Sequence, residues 1–171
     1  MLQDSDLLQT IAEVAVAILG FTGVVAFLGQ RAQGAWRTVD LFRLNQLLAA
    51  GIAALLFAFL PILLFKLGAS ESATWRISSG IMAVYFGGAL FVSRSALRNL
   101  PETEGTEIQP RILVVIVMLN TAVLVLQVLC AAGVAYAESS APMLVGLVYL
   151  LAFASFQFVR LLQRLDVKSE Q

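Results

Sequence analysis

Five nearly unbroken apolar stretches divide the chain, at about 7–29, 43–67, 76–97, 111–137 and 142–163. Each is about 22–27 residues long, and at 1.5 Å per residue each exceeds the roughly 30 Å hydrocarbon core of a bilayer. A core helix of a water-soluble protein would carry a polar stripe, whereas these runs are apolar nearly all round. The pattern predicts an all-α fold: a polytopic membrane bundle of five transmembrane helices forming a single transmembrane domain over 1–171.

The breaks between runs have local causes. Gly29 to Gly34 interrupt the first, and Gly68-Ala69-Ser70-Glu71-Ser72 ends the second, with Thr74 placed to cap the third. Pro101, Gly105 and Pro110 fall in an acidic linker over about 98–110. Ser140 followed by Pro142 reads as an N-cap and a first-turn proline. The link at 138–141 is so short that the fourth and fifth helices must be antiparallel neighbours. Pro61 removes one backbone hydrogen bond inside the second run and predicts a kink there.

Composition agrees with lipid as the solvent. Hydrophobic residues make up 60% of the chain and charged residues 13%, against roughly 25% charged in soluble domains. Mean hydropathy is +0.88. Lysine and arginine are asymmetric: Arg31, Arg37, Arg43, Arg94, Arg98, Arg111, Arg160, Arg164 and Lys168 fall on one side of the predicted bundle, and Lys66 and Arg76 on the other. The positive-inside rule then places the N-terminus outside and the C-terminus in the cytoplasm, in a cell membrane (plasma or inner) crossed several times. Trp36, Trp75 and Tyr136 fall near predicted interfaces, where amphipathic rings prefer to sit. Met1 to Asp6 carry two acids and no base, so the first run is read as a retained helix and not a cleaved signal.

Charge and residue types narrow the chemistry. Net charge is zero, which gives no pull toward nucleic acid. There is no histidine and one cysteine, Cys130, so no cofactor or metal is expected and Cys130 reads as an apolar filler. A retinal protein needs a mid-membrane lysine and a voltage sensor an arginine series in one span; neither pattern is present. Nucleotide, hydrolase and metal motifs are also missing, and no enzyme is expected. The arginines are accounted for by topology, since headgroup recognition would want a denser basic run.

Two sets of polar residues are candidates for a site. Glu13 lies about 9 Å below the predicted outer end of the first helix, where an ionised carboxylate costs a few kcal/mol unless paired or hydrated. Tyr85, Gln127 and Tyr149 reach comparable depth, so Glu13, Tyr85, Gln127 and Tyr149 are expected as one buried outer cluster. Thr22, Asn45, Gln46, Asn120 and Gln157 form an inner set, with Asn120 and Gln127 sharing one helix face. Asp40 and Arg43, three apart, are placed to pair. Small residues recur at Ala17, Gly20 and Gly23, at Ala50, Ala54 and Ala58, and at Ser79, Ala83 and Gly87, spacings that let helices approach closely. The expected function is a non-enzymatic bundle acting through homo-oligomerisation or as an accessory subunit of a membrane assembly, with the lipid bilayer itself a partner. The alternative is an oligomeric ion or proton channel, or a small-solute transporter, using Glu13.

Overall fold

The computed structural model describes residues 2, 4–33, 38–98, 110–136 and 138–167. Among them are five helices and no strand: α1 (Ser5–Gln33), α2 (Thr38–Lys66), α3 (Glu71–Arg98), α4 (Pro110–Ala131) and α5 (Ala141–Val167). All five are long and apolar enough to cross a membrane. Trp36 and the linker core at 99–109 lie outside the described residues.

Most helices run further than the apolar runs suggest. α2 starts at Thr38 and not near 43, α3 at Glu71 and not near 76, and α5 continues to Val167. Polar first turns belong to these helices, and in α2 two of their charges, Asp40 and Arg43, are buried as a pair. Ser70, not Thr74, caps α3: its hydroxyl accepts from the Ala73 N–H at 3.3 Å. α4 is the exception and stops at Ala131, six residues before the apolar run does. Its end is set by Gly133 at φ +74°, with Gly133 N–H on the Cys130 carbonyl and Val134 N–H on the Leu129 carbonyl. The same paired closure ends α2 at Gly68 (φ +94°), through Leu64 and Phe65. Both are Schellman caps, which require a left-handed residue and therefore favour glycine. α2 runs unbroken through Pro61, which is buried in the core.

α2 and α5 form the centre of the bundle. α1 packs on both from one side, and the α3–α4 pair packs from the other. The central contact is built from small side chains: Ala50, Ala53, Ala54 and Ala58 on α2 are all buried, as is Ala154 on α5. In lipid such faces associate through close van der Waals contact and not through expulsion of water. α1 contributes Leu8, Ile11, Ala12 and Ala15 to this core, and Leu19 lies against Gly51 of α2. Ala17, Gly20 and Gly23 do not pack as expected: all three are exposed, and nothing approaches either glycine.

α4 is held differently along its length. Its buried residues are Asn120, Val123, Gln127 and Cys130, one stripe confined to the half beyond residue 119. From Arg111 to Leu119 no side chain is buried. That half of α4 packs more loosely, with Ile112, Leu113 and Ile116 half-buried, and these residues line a cavity behind it.

Candidate functional site

The cavity has a volume of about 470 Å³ and is walled by α2, α3, α4 and α5. This is within the usual range of small-molecule sites, roughly 300–1,000 Å³. One end carries Arg43 of α2, Arg94 of α3 and Arg160 of α5; the other is closed by Ala50, Tyr85, Asn120 and Tyr149. Tyr149 and Arg160 are eleven residues apart on α5, so the cavity is about 17 Å deep along that helix. Gln46, Ser93 and Gln157 lie between, and among the described residues no carboxylate lines the space.

Hydrogen bonds tie the walls together. Gln46 Nε2 donates to Ser93 Oγ at 2.7 Å, joining α2 to α3. The Tyr85 hydroxyl donates to the Ala49 carbonyl at 3.2 Å, the Tyr149 hydroxyl to the Ile116 carbonyl at 3.4 Å, and Asn120 Nδ2 to the Phe86 carbonyl at 3.4 Å. Rings reinforce the closed end: Phe57, Tyr85, Phe86, Tyr149 and Phe153 make successive contacts with centroids 5.5–6.2 Å apart. Aromatic neighbours in edge or offset arrangement gain about 0.5–1.5 kcal/mol per pair beyond area burial. The closed end is therefore rigid, and the basic end carries the charge.

The charges there are unequally compensated. Arg43 is 5% exposed and its Nη1 lies 3.4 Å from Asp40 Oδ1, the pairing their spacing predicts. Arg94 and Arg160 have no carboxylate partner among the described residues; Arg160 instead stands over the Phe156 ring at 5.6 Å. Gln157, only 5% exposed, leaves its Oε1 without a hydrogen-bond donor. A buried acceptor without a donor costs about 1–3 kcal/mol. The cavity thus offers two guanidinium groups without a carboxylate among the described residues and an idle carbonyl acceptor.

The outer cluster anticipated from depth is not assembled. Glu13 is exposed on α1, accepts a hydrogen bond from Gln9 Nε2 at 3.1 Å, and sits on a helix that packs only on α2 and α5. Gln127 is fully buried and donates to the Pro142 carbonyl at 2.6 Å, binding α4 to the start of α5. Tyr85 and Tyr149 do come together, but at the closed end of the cavity. Of the inner set, Gln46, Asn120 and Gln157 line the cavity. Thr22 is buried with its hydroxyl on the Ile18 carbonyl at 2.7 Å, and Asn45 is exposed on another face of α2. Rotation about the helix axes is what separates these residues.

Two further corrections follow from packing. Trp75 is fully buried near the start of α3 and so packs against protein, and Tyr136 is exposed just beyond α4 at φ +57°. Cys130 is buried within α4, its Sγ 3.5 Å from the Tyr136 carbonyl.

The arginines are the residues whose place in a site the sequence reading misses, since topology alone accounts for them there. A signal was available: Arg43 and Gln46, and Gln157 and Arg160, are each three apart, so each arginine shares a helix face with an amide. Comparison with family models, curated proteins and solved structures gives no match for this chain. What can be said of function therefore rests on the cavity.

Proposed function

We propose that the protein is a non-enzymatic membrane bundle that binds an anionic ligand in this cavity, entering from the arginine end. One observation carries the reading: Arg94 and Arg160 line a space that no acid among the described residues lines, and neither has a carboxylate partner among those residues. Arg94 is exposed and Arg160 half-buried, and a cation even partly withdrawn from water is costly unless an opposite charge neutralises it. A bound anion supplies that charge, and charge-assisted hydrogen bonds to guanidinium are among the stronger polar contacts available. The amides and hydroxyls along the walls would orient the ligand. The lysine and arginine bias supports an outside N-terminus and a cytoplasmic C-terminus, so the cavity mouth faces the cytoplasm of a plasma or inner membrane.

The test is the thermal stability of the purified protein titrated with inorganic phosphate, glycerol phosphate and an anionic phospholipid, beside the Arg94→Gln/Arg160→Gln double variant. At least one anion should stabilise the wild type and lose its effect on the variant. If every anion shifts both proteins alike, the reading fails.

A second reading concerns association. Glu13, Ala17 and Gly20 share an exposed face of α1, and a carboxyl within a membrane-spanning helix favours a polar partner. A second copy of the chain, or another membrane subunit, could seat there. Gly20→Ile should then reduce the oligomer mass in mild detergent, and unchanged mass would remove this reading.

A further inference from the structure

A second hollow, of about 390 Å³, runs on the outer surface between α4 and α5 and is almost wholly apolar. It shares Ile112, Ile116, Tyr149 and Phe153 with the cavity, so the two lie side by side along the α4–α5 seam, which the Tyr149–Ile116 hydrogen bond crosses. Along α4 it extends from Arg111 to Leu119, about 12 Å at 1.5 Å per residue. One leaflet of the hydrocarbon core is about 15 Å deep. Arg160 stands at the junction: it lines the cavity, and its guanidinium lies over Phe156, which lines the groove.

We infer that the ligand of the proposed cavity is an anionic phospholipid whose headgroup bears free hydroxyls, with one acyl chain lying in the α4–α5 groove. This deepens the reading given above and rests on it. Three features fix the chemistry. The phosphate answers Arg94 and Arg160, which no acid among the described residues neutralises. A headgroup hydroxyl supplies the donor that the buried Gln157 Oε1 lacks. The apolar groove is one leaflet deep and begins at Arg111, so charge at its mouth and grease along its length match a single amphiphile entering sideways from the inner leaflet. Three arginines that are scattered in the sequence become a cluster because α2, α3 and α5 bring them to one cavity.

The experiment uses the full chain in detergent, with lipid binding read by native mass spectrometry and by thermal shift. The probes are dioleoylphosphatidylglycerol, dioleoylphosphatidylcholine and soluble glycerol phosphate. Phosphatidylglycerol should bind at least about ten-fold more tightly than phosphatidylcholine, the worth of one charged hydrogen bond. Arg94→Gln/Arg160→Gln should erase that preference. Ala152→Trp, which fills the groove from α5, should weaken phosphatidylglycerol and leave glycerol phosphate unchanged; Val115→Trp on the facing wall serves if the first variant does not fold. If glycerol phosphate binds the wild type as tightly as phosphatidylglycerol, and a groove-filling variant binds both normally, the lipid assignment is overturned while the anion site stands. If neither probe distinguishes wild type from the double arginine variant, both fall together.

Discussion

Gly146 offers the sharpest test of how the outer half of the bundle is closed. It is buried on α5 where α3 and α4 converge. A Cβ there would overlap Met82 Sδ and lie 2.8 Å from Gln127 Nε2, closer than real contacts allow. Met82 is fully buried and Gln127 is held by its bond to the Pro142 carbonyl, so neither retreats freely. Overpacking of this kind costs about 1–3 kcal/mol. Displacing Gln127 adds about 0.6–2 kcal/mol for a lost interhelical hydrogen bond. Alanine returns about 0.8–1 kcal/mol through helix propensity. Gly146→Ala should therefore destabilise the protein by about 2 kcal/mol. Gly88, exposed with nothing within 4 Å, isolates the propensity term. Gly88→Ala should stabilise by up to about 1 kcal/mol. The buried thiol of Cys130, one turn beyond Gln127, is a native reporter: a thiol-reactive fluorophore labels it only as α4 comes away. Should Gly146→Ala label at the wild-type midpoint, or Gly88→Ala lose as much stability as Gly146→Ala, the three-helix contact does not govern this region.

Other substitutions probe separate parts of the structure. Gly51→Ala should cost less than Gly146→Ala, about 1 kcal/mol by the same assay, because its Cβ meets at 2.8 Å only the flexible tip of Leu19. Gln157→Leu should leave the ligand-free protein as stable or about 1 kcal/mol more so, by removing an unpaired buried acceptor, while weakening any hydroxylated anion several-fold in a binding titration. Glu13→Gln should leave anion binding to the cavity unchanged, since Glu13 lies exposed on α1 and away from it; a shift in that affinity would tie the two regions together.

The five spans are legible in the sequence because bilayer thickness dictates their length, and the Asp40–Arg43 pair and the buried Asn120–Gln127 face because helical periodicity dictates their spacing. Helix ends are less legible: Thr38 to Phe42 look like a loop to a hydropathy count, yet they form the first turn of α2. Least legible is which face turns inward. Ala17 and Gly20 on α1, three apart, look as apt for close packing as Ala50 and Ala54 on α2, four apart, but only the second pair is buried. Composition alone does not distinguish a packing face from a lipid-facing one when both are apolar. The cavity arginines were hidden for a related reason: a positive charge near a helix end satisfies the topology rule whether it points to headgroups or into a hollow.

The helix on which α2, α1 and the α3–α4 pair all converge is α5, the last of the five in chain order. During synthesis the alanine face of α2 must wait, uncovered, until more than eighty further residues have been threaded into the bilayer. Even the start of α1 depends on this late arrival, for Asp4 accepts its hydrogen bond from Ser140, 136 residues onward. A ribosome stalled before α5 would thus leave the α1–α2 and α3–α4 pairs able to form but without the helix that binds them into one bundle.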